Sequence, residues 1–480
     1  MRDTATYLVI TVCCWFAAVP APGQGNEARG TRTGDNREAT LTSAPAPSRG
    51  RATASLDFWR GLGDAKLAGL MDEMLRANLD VRAAEARLEE ARASRREAAL
   101  ELAPTGEVSG SYTRQRLSSA SFPNGSGSFP DQNIWDVGFD ASWEFDLFGR
   151  LRRGLEAQEA TVAANVAGLE DVQVSLAAEL ARAYFELRGA QDQLAVARHN
   201  TENQQRTLDL TRQRLDAGRG TAFDTDRAVA QLSFTQASIP TLEARVAAAQ
   251  YRIGVLVGRP PLSVVEELKE PAPMPATPAI PAAGSTEELI GRRPDVTAAE
   301  DLLRAQTALL GAAKAELRPR VSVGASAGYT ATALDALGER GTFRYFVGPT
   351  ISWPVIGLGR VKAGVAAARA REAEVRAGYE QTVLRAREEV EAALARYSAA
   401  RTRVERIGDA ATSSKRAADL ALLRFSDGLG DLLDVLDAER TQLEAENQLA
   451  LARTEAATTC AALYKALGGA WPAPQGGAGQ

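Results

Sequence analysis

Apolar and polar residues alternate along this chain in two rhythms. Between Asn133 and Asp146 the period is two: Trp135, Val137, Phe139, Ala141, Trp143 and Phe145 fall on one face, and Asp136, Asp140, Ser142, Glu144 and Asp146 on the other. That period marks a strand whose two faces meet different surroundings. Phe343, Tyr345, Val347, Ile351, Trp353 and Val355 repeat the pattern against Arg344, Gly348, Thr350 and Ser352. Val321, Val323, Ala325, Ala327 and Tyr329 give a third run, and Val108, Gly110 and Tyr112 a weaker fourth. Runs of about nine to eleven residues cross a bilayer when tilted by about 45°. Large apolar side chains on one face and carboxylates on the other fit a barrel with lipid outside and water within. A soluble sandwich strand alternates in the same way, but it needs a second apolar layer, and none is left over. Trp135, Phe139, Trp143, Tyr345 and Trp353 are therefore expected to face lipid. Four strands cannot close a barrel, which needs about eight. The chain must join copies of itself, and the strand count alone does not choose between two, three or four.

Elsewhere the rhythm is helical. Arg150 to Ala217 contains no proline and predicts one helix on the order of 100 Å long. Leu180, Ala183, Leu187, Ala190, Leu194 and Ala197 form a 3–4 seam that Leu208, Thr211 and Leu215 resume, the spacing of a coiled coil. Helices are also expected over 64–103 (broken near Asn78-Leu79), 221–257 (kinked at Pro240), 285–318, 360–425 and 431–467. Gly218, Gly220, Gly428 and Gly430 punctuate two tight reversals. Each long helix thus folds back as an antiparallel hairpin.

The chain is a tandem duplication. Asp80-Val81, Leu88, Glu101 and Pro104 recur 215 residues later as Asp295-Val296, Leu303, Glu316 and Pro319. Trp143, Gly149-Arg150, Gly218, Gly220 and Asp224 recur 210 residues later as Trp353, Gly359-Arg360, Gly428, Gly430 and Asp434. The expected organisation is a signal segment (1–23), a flexible tether (24–55), and a first repeat over 56–284. That repeat holds a β-hairpin at 105–148, a helical hairpin at 150–257 and a Pro-rich stretch at 258–284. The second repeat covers 285–467, with a β-hairpin at 320–356 and a helical hairpin at 360–467, and a disordered tail follows at 468–480. The fold class is mainly α with a membrane β part.

Charge and composition exclude more than they add. A net charge of -5 gives no reason to expect nucleic acid. His199 is the only histidine, so no Ser-His-Asp set is available; no metal spacing or phosphate loop is present, and neither a catalytic site nor a cofactor is expected. Cys13 and Cys14 lie in the apolar leader and are weak lipidation candidates, because Val12 stands where a small residue usually precedes the cysteine. A periplasmic adaptor or a purely structural coiled coil are the rival readings. The first should have one hairpin, and the second lacks bilayer-length strands.

Five segments carry a resemblance: FWRGLGDAKLAGL (58–70), FDLFGRLRRGLEAQEA (145–160), GRRPDVTAAEDLLRAQ (291–306), GPTISWPVIGLGR (348–360) and GDLLDVLDAERTQLEAE (430–446). Together they resemble the TolC-like outer-membrane efflux proteins, in the efflux lipoprotein branch that serves resistance-nodulation-division pumps. The resemblance implies a homotrimer with a 12-stranded β-barrel in the Gram-negative outer membrane and an α-barrel reaching through the periplasm. It also implies a periplasmic adaptor and an inner-membrane pump as partners, and passive export of small molecules. The Pro-rich stretch and the C-terminal tail would belong to a belt around the helical barrel. By the same resemblance Asp434 and Asp437 form a carboxylate ring at a gate and Asp224 helps to hold that gate shut; Asp431, beside them in this sequence, is a further candidate. The family's aromatic-plus-Arg latch would fall at Phe425 and Gly430, so neither a Tyr hydroxyl nor an Arg is available there. The turns at Gly218-Arg219 and Gly428-Leu429 would meet the adaptor. The family's turn often reads Val-Gly-Leu; here the glycines are kept and their neighbours differ.

Overall fold

A computed structural model describes residues 57–118, 130–279 and 290–469. The expected signal segment, the tether, Cys13, Cys14, the end of the Pro-rich stretch and residues 470–480 lie outside the described residues. The elements follow in the order α1 (Ala65–Ala77), α2 (Leu79–Leu100), β1 (Thr105–Gln115), β2 (Gln132–Phe145), α3 (Arg150–Asp216), α4 (Ala222–Leu256), α5 (Pro294–Ala315), β3 (Arg320–Ala331), β4 (Phe343–Ser352), α6 (Leu358–Ser426) and α7 (Leu432–Ala466). The strands make one compact unit (Leu100–Phe148 with Arg318–Ile356), and the helices make the other.

The four strands form one antiparallel sheet in the order β1-β2-β3-β4. The register places Val108 beside Phe139, Phe139 beside Ala327, and Ala327 beside Tyr345, so one face carries the large apolar side chains. That face is open: Phe139 is 51% exposed, Tyr345 76% and Ile351 71%. The run with the weakest alternation is a full strand. Its pattern was thinned by Gly106, which lies under the Phe139 ring, where an added Cβ would sit 2.7 Å from a ring carbon. The aromatic covers the gap that the missing side chain leaves.

In the helical unit, α1 and α2 part at Asn78, whose Oδ1 accepts from the amides of Asp80 and Val81 and so starts α2. Its Nδ2 donates to the Leu256 carbonyl at 2.8 Å, which fastens the break to the end of α4. The kink expected at Pro240 does not end the helix; α4 runs through it. The α5 helix begins at Pro294, where Pro at the first position favours a start; Ile290 before it is also helical, and residues 285–289 of the expected helix lie outside the described residues.

The two long helices, of 67 and 69 residues, each pack along the helix that follows them. α3 also packs on α7, giving the order α4–α3–α7–α6, and α5 lies between α3 and α6. The main core gathers Trp59, Tyr184, Phe185, Leu187, Ala461 and Tyr464. There the Tyr184 hydroxyl donates to Asp64 at 2.6 Å and accepts from Arg188. Arg188 and Gln191 in turn donate to the Glu270 and Leu268 carbonyls, which ties the start of the Pro-rich stretch to α3.

Candidate functional site

The ends of the two helical hairpins carry most of the residues singled out from the sequence. α3 and α6 stop in the same way. The Gly218 amide donates to Leu215 O and the Arg219 amide to Arg214 O (2.8 Å); the Gly428 amide donates to Phe425 O and the Leu429 amide to Arg424 O (2.8 Å). This paired closure requires a left-handed residue, supplied by Gly218 at φ 67 and Gly428 at φ 77. Arg219 and Leu429 stand exposed beyond the turns.

The return helices start on acidic caps. Thr221 and Asp224 form a reciprocal capping box: the Asp224 carboxylate accepts from the Thr221 amide and hydroxyl, and the Thr221 hydroxyl accepts from the Asp224 amide. Asp431 caps α7 through the Leu433 amide. Asp434 lies exposed in the first turn of α7, and Asp437, one turn on, pairs with Arg440 at 2.7 Å. Asp224, Asp431, Asp434, Arg219, Gly428 and Leu429 line one cleft of about 480 Å³ between the hairpin ends. Asp437 does not line it. The first-turn carboxylates also complement their helix dipoles, a role they hold whatever else they do.

An aromatic-plus-arginine pair is present after all, drawn from a position not expected to supply it. The Arg214 guanidinium, from the last turn of α3, lies 3.8 Å from the centre of the Phe425 ring. It also donates to the Phe425 carbonyl, so a cation sits on the last turn of α6. Phe425 is 5% exposed and packs with Leu432, Val435 and Leu436, and with Leu210 from α3. A basic residue in the last turn of a helix is common, and the spacing gave no sign that this one would cross to the other hairpin.

A second group went unnoticed in the sequence. Glu439 lies buried where α7 meets α3 and accepts from the Thr207 hydroxyl at 2.5 Å. Burial pushes its carboxyl above the usual carboxylate range, and the Thr207 bond offsets this only in part. Among the described residues no helix is long and apolar enough to cross a membrane, and no His, Cys, Asp and Glu side chains converge to hold a metal ion. The lipid-facing candidates Trp135, Phe139 and Trp143 lie on β2 and Tyr345 on β4, with Trp353 directly after β4.

The family model described as outer membrane efflux protein matches residues 70–259 and 286–469. Outer membrane protein OprJ of Pseudomonas aeruginosa is 30% identical over 431 residues, covering 90% of this chain and 89% of that protein. The pyoverdine export outer membrane protein OpmQ of the same species is 29% identical and covers 90% and 91%. Among solved structures, the outer-membrane channel OprN superposes with a TM-score of 0.81 at 38% identity, over 93% of this chain and 99% of that one.

Proposed function

This chain belongs to the outer membrane efflux protein family, and from that premise we propose that three copies of it form the duct of a tripartite pump. The family is one of transport channels and not of enzymes; the protein is an outer-membrane exit duct, passive in export. The trimer, the partners and the gate are our reading.

The observation that carries the joining of copies is a pair of open edges, and the resemblance sets their number at three. β1 and β4 each have one strand neighbour, and their directions are opposite, so β4 of one copy continues antiparallel onto β1 of the next. Three copies make twelve strands, enough for a barrel with a water-filled lumen. The helices repeat the logic. In the order α4–α3–α7–α6 neighbours run antiparallel, and the end helices α4 and α6 are left to meet the next copy. Phe223, Val229 and Phe234 on α4, and Leu420 and Leu423 on α6, are exposed apolar residues. Apolar edges of this kind mark an interface.

A duct between two compartments must be shut at rest. Hairpin ends are the elements that part with least loss of packing, so the closure belongs at the tips. Asp434 and Asp437, three apart, become rings of three in a trimer and concentrate cations through their field. Asp431 adds to that field, Asp224 braces the first hairpin, and Arg214 on Phe425 latches the two hairpins of each copy together. Gly218-Arg219 and Gly428-Leu429 form exposed, rigid turns that suit end-on contact with a periplasmic adaptor, which couples the duct to an inner-membrane pump. Mass measurement in detergent and planar-bilayer recording test the whole proposal. A trimer with voltage-stable conductance is expected, and a water-soluble monomer without a pore overturns it.

A further inference from the structure

The water-facing side of the sheet holds one residue that its surroundings do not explain. Glu107, Asp136, Asp140, Ser326 and Arg344 share that face by the strand register. Among the described residues only Ile134 and Phe346 bring an apolar side chain to it. Ile134 is half-buried, whereas Phe346 is 58% exposed. The contacts of Phe346 fix the face on which it stands. Its partner across the ladder is Ser326, whose hydroxyl accepts from Arg344 at 2.7 Å. Its ring leans along β4 over two glycines: a Cβ built on Gly348 would lie 3.1 Å from a ring carbon, and one on Gly324 3.8 Å. On the opposite face Phe139 covers Gly106 in the same manner, and lipid meets the rest of that ring. Phe346 meets water instead and forgoes the free energy of burial.

The charge around the ring is one-sided. The register runs Glu107–Asp140–Ser326–Phe346 in a single line across all four strands. Neighbouring strands stand about 4.8 Å apart, so the backbone at Asp140 is about 10 Å from that at Phe346. Asp140 accepts from the neutral Ser109 hydroxyl at 2.9 Å, and Glu107 is exposed. Arg344, two residues from the ring, is committed elsewhere. It holds the Asp136 carboxylate through bonds of 2.5 and 2.8 Å and donates to Thr330 at 3.1 Å. The line therefore offers two carboxylates and an aromatic ring to whatever passes.

We propose that this line is a transit subsite for organic cations that carry aromatic or apolar groups, with Phe346 stacking on the body of the cargo and Asp140 and Glu107 drawing its charge. The proposal rests on the duct reading given above. The face of an aromatic ring is electrically negative, so ring and carboxylates attract the same sign. A small inorganic cation keeps its water shell and gains little from the ring. An aromatic anion gains from the ring and is repelled by the carboxylates. The contacts are open to solvent, so cargo is held briefly and released, as passage through a pore requires.

The test is block of single-channel current in planar bilayers by tetraphenylphosphonium, with naphthalenedisulfonate as the aromatic anion and magnesium as the hydrated cation. Tetraphenylphosphonium should block the wild type at lower concentration than naphthalenedisulfonate does. Phe346→Ser should raise its half-blocking concentration at least about fivefold, the worth of one cation–π contact, and leave magnesium block unchanged. Phe346→Tyr, which keeps the ring, should behave as wild type. Asp140→Asn, which keeps an acceptor for Ser109, should weaken tetraphenylphosphonium block as Phe346→Ser does. Phe346→Leu covers the glycines without an aromatic face and serves where the serine variant does not assemble; its block should weaken too. Wild-type block in the serine or leucine variant overturns the subsite while leaving the duct standing. Equal block by the aromatic anion, or a parallel change in magnesium block, does the same. A wild-type protein that forms no pore removes both.

Discussion

Replacing Arg214 by alanine should unlatch the hairpin tips, and the structure sets the size of the effect. The guanidinium stacks 3.8 Å from the centre of the Phe425 ring, and Phe425 is largely desolvated while Arg214 is half-buried. A cation–π contact between the exposed and the desolvated limits is worth about 1 kcal/mol. The bond to the Phe425 carbonyl adds a charged donor, but that oxygen keeps the Gly428 amide as a partner, so truncation orphans nothing and the loss stays near 1 kcal/mol. The sum, about 2 kcal/mol per protomer, corresponds to roughly a thirtyfold change in the ratio of latched to unlatched tips. In planar bilayers at fixed voltage, Arg214→Ala should open far more often than wild type. Phe425→Leu, which removes the ring and keeps the carbonyl, should give about half the effect in free energy. The double variant should resemble Arg214→Ala, because both act on one contact. Wild-type opening in Arg214→Ala, or single effects that simply add, would refute the latch.

Asp434→Ala with Asp437→Ala should weaken the block of single-channel current by multivalent cations, and unchanged block would move the ring elsewhere. Glu439 makes stability depend on pH in a definite direction. Its carboxyl is raised by burial, so its contribution is complete below the ordinary glutamate range and is lost as pH rises through the raised value. The unfolding midpoint of Glu439→Gln should fall less than that of wild type between mildly acid and mildly alkaline buffer, and parallel curves would contradict this. Gly189→Ala should lower the melting temperature by the cost of overpacking, about 1–3 kcal/mol, because its methyl meets Thr454. Adding Thr454→Ala should recover most of the loss.

The fold was legible because it repeats. Two copies of a strand pair and a helical hairpin, at offsets of 215 and 210, fix element type and order more firmly than any single window. The strands were legible where side chains alternate, and β1 was faint because Gly106 and Gly110 occupy positions on its apolar face. The hairpin tips were legible because only glycine accepts the backbone at Gly218 and Gly428. The latch was not. Resemblance directed attention to Gly430, and nothing in the local pattern says that Arg214 reaches from another helix to Phe425. The buried Thr207–Glu439 contact between α3 and α7 was hidden for a related reason. Thr211 was read as part of a heptad seam, yet Asn200, Gln204 and Glu439 look like surface residues in a long, charged helix. Their burial arises only when α3 and α7, more than 200 residues apart in the chain, lie side by side.

The two halves share a backbone plan and diverge at their hairpin tips. Thr221 and Asp224 of the first repeat correspond to Asp431 and Asp434 of the second. In the first, the carboxylate at the second position is spent on its own helix start; in the second, the cap at the same position is Asp431 and Asp434 is left exposed. The acid available to a ring therefore comes from the second hairpin. Leu215 corresponds to Phe425, and Arg214 to Arg424, so a stacked pair forms only when the first hairpin's arginine meets the second hairpin's ring. That pair lies at the hairpin tips, where Leu210 of α3 also packs on Leu432, Val435 and Leu436. The lock lines the same cleft as the exposed turns, so it responds to whatever binds there. On this reading an adaptor that docks at the turns need only compete with Arg214 for the end of α6 to loosen the contact between the two hairpins.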